Sequence, residues 1–320
     1  MGPIENDEDG GSSFKQIAIV GCGLIGQAWA TVFLRAGAEV RLFDVVEGAA
    51  EQAAAQIKDR LQELHRFSLI PDDVLRDAPG RIAVAHTLKE AVADAEYVQE
   101  NGPENLEIKA ALTRDILSFS APDTPVGSST SGIPASSYAE HLSGRERCLV
   151  AHPINPPHLV PLVEVVPSVW TDPQVTQAVE TLLRTVGQVP ILLRKEIDGF
   201  VVNRLQGALL REAFNLLDAG VASREAIDLA VSRGLGLRWS LMGPFETIHL
   251  NAPGGVADYV ERFGRMYAEM FADERGASPW TDVVASGLGA DLARHTPAEG
   301  IPAAQKQRDE ALMTLLAGQS

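Results

Sequence analysis

The chain has 320 residues, enough for two ordinary domains, and its 45% hydrophobic and 22% charged content is that of a soluble globular protein. A formal net charge of −16 argues against nucleic acid and anionic membrane surfaces as partners, and no stretch approaches the about 18 apolar residues of a membrane span. The only two cysteines, Cys22 and Cys148, lack metal-type spacing and read as free thiols of a reducing, cytoplasmic compartment; no metal is implied.

Residues 1–13, MGPIENDEDGGSS, are acidic and lack an apolar core, so they are no signal peptide and are expected to be disordered. An apolar run, Ile17 to Val20, then leads into Gly21-Cys22-Gly23-Leu24-Ile25-Gly26. A helical pattern follows at Ile25, Ala28, Trp29, Val32 and Phe33, stops at Gly37, and gives way to a strand-like run, Val40 to Phe43, closed by Asp44. Strand, glycine turn, helix, strand and acid in this order make a dinucleotide-binding unit. Gly21 permits the tight turn, Gly23 lets the backbone approach a pyrophosphate, and Gly26 allows close helix–strand packing. The helix N-terminus at Leu24 and Ile25 offers N–H groups and a positive dipole end to the phosphates. Asp44, 18 residues past Gly26, is placed to accept ribose hydroxyls and would repel a 2′-phosphate, which favours NAD over NADP.

A helix is predicted over about 47–67, followed by a polar break at Pro71-Asp72-Asp73. Strand-like runs at 81–85, 96–99, 124–128, 147–151, 162–166 and 188–193 then alternate with helical patterns at about 87–94, 104–119, 134–142 and 172–186. Such alternation indicates an α/β fold with a doubly wound, Rossmann-type, mostly parallel sheet. From Asp198 the texture changes. Asp198 can cap a helix running to about 219, with apolar steps at Val202, Leu205, Leu209, Ala213 and Leu216, and no strand signal follows. The division expected is a disordered tail over 1–13, a cofactor domain over 14–197 and an all-helical substrate and dimerisation domain over 198–320, with substrate in the crevice between domains.

A nicotinamide-dependent oxidation of an alcohol needs a group to take the hydroxyl proton, and histidine suits this. Of seven histidines, His152 stands out: it directly follows the strand-like RCLVA, and ligands of open α/β sheets bind at strand C-terminal ends. Twelve residues on, Glu164 lies in PLVEVV, a run that should be buried and whose carboxylate must therefore be paired. Either the two form a dyad, the Glu fixing the imidazole tautomer as in a Ser-His-Asp triad, or His152 is structural beside an unrelated ion pair. Ser131 in SSTSG and Asn203 early in the predicted helix are positioned to bond a substrate oxygen; each is also ordinary turn or helix chemistry.

The glycine turn with Asp44, SSTSG, AHPINPPHLVPLVEVV, GFVVNRLQGALLREA and GLGLRWSLMGPFETIHLNAPGG together resemble the 3-hydroxyacyl-CoA dehydrogenase family, and within it the L-gulonate 3-dehydrogenase or lambda-crystallin branch. The likeness covers about residues 16–260, with an echo in QKQRDEALMTLLA near the C-terminus. It implies that His152 is the general base, that Glu164 orients it, and that Ser131 and Asn203 position the substrate oxygen. It also implicates Glu104 and Lys109 of PENLEIK in binding the nicotinamide side of the cofactor, and it implies a homodimer. Members acting on CoA thioesters carry a longer, lysine-rich hairpin after the second strand. Here residues 45–80 hold four basic residues (Lys58, Arg60, Arg66, Arg76) against seven acids, which favours a small hydroxy acid such as L-gulonate. Arg238, before MGP, is the expected partner of the substrate carboxylate across the cleft; the alternative is a surface Arg on a turn. The rival readings are 3-hydroxybutyryl-CoA or L-carnitine as substrate, or a non-catalytic NAD-binding structural protein of the lambda-crystallin type.

Overall fold

The computed structural model describes residues 14–270 and 300–318; the acidic segment 1–13 lies outside the described residues. In chain order, β1 (Gln16–Val20), α1 (Leu24–Arg35), β2 (Glu39–Phe43), α2 (Ala49–Arg66), α3 (Asp72–Asp77) and β3 (Ile82–Val84) form one half of a sheet unit. The other half comprises α4 (Leu88–Val92), β4 (Tyr97–Glu100), α5 (Leu106–Phe119), β5 (Val126–Ser128), α6 (Ala135–Ala139), β6 (Cys148–Pro153), β7 (Leu162–Pro167), α7 (Pro173–Thr185) and β8 (Val189–Leu192).

The eight strands lie in the order β3-β2-β1-β4-β5-β6-β7-β8. The order reverses between β1 and β4, which opens the ligand crevice of a doubly wound sheet at their C-terminal ends. Every pairing is parallel except β6 with β7, where His152 stands opposite Glu164. The short link from Ile154 to Pro161 contains no helix, and a parallel crossover needs a dozen or more residues, so this pair closes antiparallel.

Apolar side chains cover both sheet faces. One face carries Trp29 and Phe33 of α1, Ile57, Leu61 and Leu64 of α2, and Leu183 of α7; the other carries Ile116, Tyr138, Val150 and Phe200. Trp29 stacks on Phe33 at 5.5 Å, and its indole N–H donates to Ser129 Oγ at 3.0 Å, so the ring is buried with its polar atom satisfied. Gly26 is needed where α1 crosses β1. A Cβ there would lie 2.0 Å from the Gly21 carbonyl oxygen, which is backbone and cannot rotate away. Gly26→Ala is expected to cost about 1–3 kcal/mol or more and to lower Tm by roughly 3–10 °C, with NADH affinity lost as the turn shifts. A melting curve and NADH titration superimposable on wild type would refute this packing argument.

The chain divides into two compact units. One runs to Asn203 and takes in the chain from Pro302 on; the other is Arg204–Ile301. The first includes most of α13 (Ile301–Ala317), whose Met313 is buried in the core beside α2 and whose Glu310 accepts from Arg66 Nη2 at 3.1 Å. Reading all of 198–320 as one helical domain overlooks this return, because amphipathic periodicity reports that a helix has an apolar stripe but not which partner covers it.

The described part of the second unit is helical. It holds most of α8 (Val202–Asp218), then α9 (Arg224–Leu229), a π-helical turn at Ala230–Leu235, α10 (Gly236–Trp239), α11 (Pro244–Leu250) and α12 (Gly255–Met270). The helix expected to start after Asp198 starts at Val202 instead. Gly199 and Phe200 take left-handed φ values of 72° and 49°, and the carboxylate of Glu164 accepts the N–H groups of Val201 and Val202. A side chain distant in sequence caps α8, which a search for a local cap residue does not find.

Candidate active site

The glycine turn is built from backbone constraints. Gly21 has φ 91°, and a Cβ on it would meet the Asn101 carbonyl oxygen at 2.7 Å. Gly23 differs: a Cβ there would meet no described atom within 4 Å, so open space borders the start of α1. No side chain caps that helix and no acid occupies its first turn. Leu24 is exposed and Ile25 half-buried, so the helix presents its first N–H groups to solvent with a positive dipole end. An unhindered glycine beside uncapped N–H groups is what a pyrophosphate requires.

Asp44 is held at the end of β2 by two backbone donors: Cys22 N–H gives to Oδ2 at 2.7 Å and Val46 N–H to Oδ1 at 2.9 Å. It borders a cavity of about 430 Å³ lined also by the exposed Val45 and Val46, by Ala85 and by His86. An aligned carboxylate next to an apolar wall suits a ribose and an adenine. Cys22 takes no part in chemistry here. Burial, then the Asp44 charge, pushes its thiol up to about 12, and its Sγ lies 3.4 Å from the Phe43 carbonyl oxygen. Both cysteines are free and buried.

β6 and β7 bring His152 and Glu164 together, Nδ1 to Oε2 at 2.8 Å. Glu164 is fully buried and His152 nearly so. The other carboxylate oxygen accepts Val201 N–H at 2.7 Å and Val202 N–H at 3.0 Å. Burial alone would raise this carboxyl above its ordinary value; the hydrogen bonds from His152, Val202 and Val201 outweigh it and hold the group below. An ionised carboxylate only accepts, so Nδ1 carries the proton and Nε2 the lone pair. Nε2 has no hydrogen bond to a described residue, which leaves it for a substrate hydroxyl. The Phe200 ring, fully buried and centred 5.5 Å from the imidazole, keeps water from that side. Phe200 is a non-glycine residue in left-handed backbone; such strain costs about 1–3 kcal/mol and persists where surrounding contacts fix it.

Ser131 is exposed on the loop after β5, and Asn203 Nδ2 donates to its carbonyl oxygen at 2.6 Å. Glu104 organises this loop, accepting from Thr130 Oγ1 at 2.7 Å, Gly132 N–H at 3.0 Å and Ser131 N–H at 3.2 Å. Lys109 is buried against Glu100 at 3.0 Å and does not reach solvent. Glu100 also accepts from Gly102 N–H at 2.6 Å and Ser128 Oγ at 2.5 Å. Sequence reasoning missed Glu100 and Phe200. An acid closing β4 was a signal for the first; the second is an ordinary apolar residue whose role depends on a fold contact. Arg238 lies exposed on α10 in the second unit.

Residues 16–197 match the model of the 3-hydroxyacyl-CoA dehydrogenase NAD binding domain, and residues 199–288 that of the family's C-terminal domain. The chain is 36% identical to a lambda-crystallin homolog of Bos taurus, over 96% of each protein. It is 34% identical to an L-carnitine dehydrogenase of Oceanobacillus iheyensis, over 94% of this chain and 97% of that one. Among solved structures, 5-formyl-3-hydroxy-2-methylpyridine 4-carboxylic acid 5-dehydrogenase, an NAD+-dependent dismutase, superposes with a TM-score of 0.80 at 30% identity, covering 94% of this chain and 97% of that one. A glycine turn open to a pyrophosphate, a carboxylate set for a ribose and two matching domain models lead to one conclusion: the chain belongs to the 3-hydroxyacyl-CoA dehydrogenase family and is an NAD-dependent oxidoreductase acting on a CH–OH group.

Proposed function

We propose that the enzyme oxidises the 3-hydroxyl of a small hydroxy acid, with L-gulonate the first substrate to test. The reading rests on the His152–Glu164 pair with its unengaged Nε2. His152 Nε2 takes the hydroxyl proton, and the C–H electron pair leaves as hydride, so alcohol becomes ketone. NAD, when bound, supplies the hydride acceptor. Glu164 holds the ring in the basic tautomer and stabilises its charged form. Ser131 and Asn203 hold the reacting oxygen; Glu104 fixes their loop, and Lys109 with Glu100 fixes the floor beneath the nicotinamide side. Gly21, Gly23, Leu24, Ile25, Gly26 and Asp44 hold the dinucleotide.

Supporting a small acid over a CoA thioester, two of the four basic residues in 45–80 are already engaged: Arg66 pairs with Glu63 and Glu310, and Arg76 with Asp77. Arg238 is the proposed partner of the substrate carboxylate; Arg238→Met should raise KM for gulonate about tenfold or more and spare the NADH Kd. An unchanged KM removes Arg238 from the site. Following NADH absorbance with L-gulonate, L-carnitine and 3-hydroxybutyryl-CoA tests the reading. Turnover of carnitine or the thioester alone replaces the substrate, and NADH binding without any turnover favours a structural protein.

A homodimer built through the helical unit is part of the proposal. Leu205, Leu241, Phe245, Leu250 and Val260 are exposed there among the described residues, apolar surface of the kind an interface covers. Light scattering on the purified protein reads the mass directly. The free thiols suit a reducing cytoplasmic setting, and no described helix is long and apolar enough to cross a membrane.

A further inference from the structure

Five side chains with polar atoms gather beneath the crevice of the first unit, and the mechanism uses none of them. Tyr97 and Gln99 lie on β4, Asn101 follows it, Ser129 directly follows β5, and Trp29 comes from α1. Trp29, Tyr97 and Gln99 are fully buried, and Ser129 is half-buried.

The Ser129 hydroxyl is their hub. Its Oγ lies 3.0 Å from Trp29 Nε1, 2.8 Å from Gln99 Nε2 and 2.7 Å from Asn101 Oδ1. The direction of each bond is fixed from both ends. An indole N–H can only donate. On the other side, Asn101 Nδ2 faces the carbonyl oxygens of Gln99 at 2.9 Å and Val20 at 3.4 Å, which only accept. The amide oxygen of Asn101 must therefore face Ser129 and take its one proton. Both lone pairs of Oγ are left for Trp29 and Gln99, and Gln99 Oε1 accepts the Tyr97 hydroxyl at 2.6 Å. A hydroxyl has one donor and two acceptor sites. All three are used, so the set has a single arrangement and holds its members rigidly.

The members come from the parts that must meet in the reaction. Trp29 is on the helix whose uncapped N-terminus borders the glycine turn. Asn101 presses on that turn: its N–H donates to the Val20 carbonyl at 2.7 Å, and its own carbonyl oxygen is the atom a Cβ on Gly21 would meet at 2.7 Å. Gln99 Nε2 also lies 3.4 Å from the carbonyl oxygen of Ala151, one residue before His152. Ser129 itself starts the loop that carries Ser131. One hydroxyl thus stands between the cofactor turn and the loop proposed to hold the reacting oxygen. The other end of β5 offers a contrast. There Thr124 Oγ1 donates a single bond, to the Ala95 carbonyl at 2.8 Å, and bonds to neither turn nor loop.

We propose that Ser129 is a positioning residue for hydride transfer: its hydroxyl ties the glycine turn to the Ser131 loop and so sets the distance from bound NAD to the carbinol carbon. This role rests on the reading of Ser131 as a holder of the reacting oxygen. Reacting atoms must stand about 3–3.5 Å apart, so a shift of about 1 Å between turn and loop costs up to about 10²-fold in rate.

The test compares Ser129→Ala with Thr124→Val in the full-length protein. In Ser129→Ala a water can take the vacated place and serve the same partners, which favours folding, but water is not joined to the loop. Both variants should lower Tm by a few degrees. Single-turnover hydride transfer, with NAD-loaded enzyme and the substrate that wild type oxidises, should fall about 10- to 100-fold in Ser129→Ala and keep its wild-type rate in Thr124→Val. NADH affinity should stay near wild type in both. Ser129→Cys, a weak donor and acceptor of similar shape, should fall between them and carries the comparison should Ser129→Ala not fold. Amide hydrogen exchange needs no substrate: saturating NADH should slow exchange at residues 130–133 in wild type and Thr124→Val but not in Ser129→Ala. A wild-type rate in Ser129→Ala overturns the proposal, as does an equal loss in Thr124→Val or NADH protection of 130–133 that survives the loss of the hydroxyl. Should wild type oxidise none of the three candidate substrates, the substrate reading falls, and the exchange comparison still decides whether Ser129 makes the link.

Discussion

His152→Gln is expected to bind NADH as wild type does while kcat falls about 10²–10⁴-fold, the usual loss when a general base is removed. Glutamine keeps much of the ring's volume and can still meet Glu164 through its amide N–H, so the buried carboxylate is not left without a partner. What it lacks is a basic lone pair where Nε2 stands. Because Nδ1 is committed to Glu164 at 2.8 Å, no other atom of His152 can accept the substrate proton. Single-turnover rates and an NADH titration separate chemistry from binding. Turnover within tenfold of wild type would show that the proton leaves by another route.

Glu164→Gln is expected to be nearly as damaging, for a less direct reason. The carboxylate serves His152 Nδ1 with one oxygen and the Val201 and Val202 amides with the other. A glutamine has one acceptor oxygen and one NH₂. The two backbone N–H groups cannot reverse, so they claim the oxygen and the NH₂ turns toward the ring. Nδ1 then has to accept, which places the proton on Nε2 and leaves no lone pair toward the substrate. The expected loss is about 10²–10⁴-fold in kcat with Tm only modestly lower, since every group keeps a partner. Glu164→Ala, by contrast, strands three donors at about 1–3 kcal/mol each and should unfold far more easily.

Glu164 also makes a pH prediction. Its folded carboxyl titrates below its ordinary value of 4.5, so its stabilisation is present above that value and is lost as pH falls through the folded one. Glu164→Gln should therefore flatten the fall of Tm with acid below about pH 4.5. Wild-type kcat in Glu164→Gln, or an unaltered acid limb, would overturn the assigned role.

The strands and helices of the sheet unit were legible because each carries its own periodicity and its own punctuation. The β1–α1–β2 segment even announces its ligand, since only glycine tolerates the φ of 91° at Gly21 and the backbone contact at Gly26. Other features were legible only as residue types. That His152 pairs with Glu164 followed from the need to neutralise a buried acid, but the sequence left open a structural histidine beside another pair. Strand register decided between them, and it depends on β6 and β7 running antiparallel. The cap of α8 was misread because the sequence offers Asp198 locally while the fold supplies Glu164 from 37 residues away. Lys109 illustrates the same limit: the resemblance implicated it on the nicotinamide side, and only the fold shows that its ammonium is buried against Glu100.

By itself the sequence determined the order of strands and helices, the glycine turn, the acid at Asp44 and the candidate base, because these depend on local conformation and on residue chemistry. Only the tertiary structure decided which nitrogen of His152 is basic, what caps α8 and where α13 packs. Those outcomes depend on groups far apart in the chain meeting where water is excluded. There a missing or supplied hydrogen bond counts for more than any local preference.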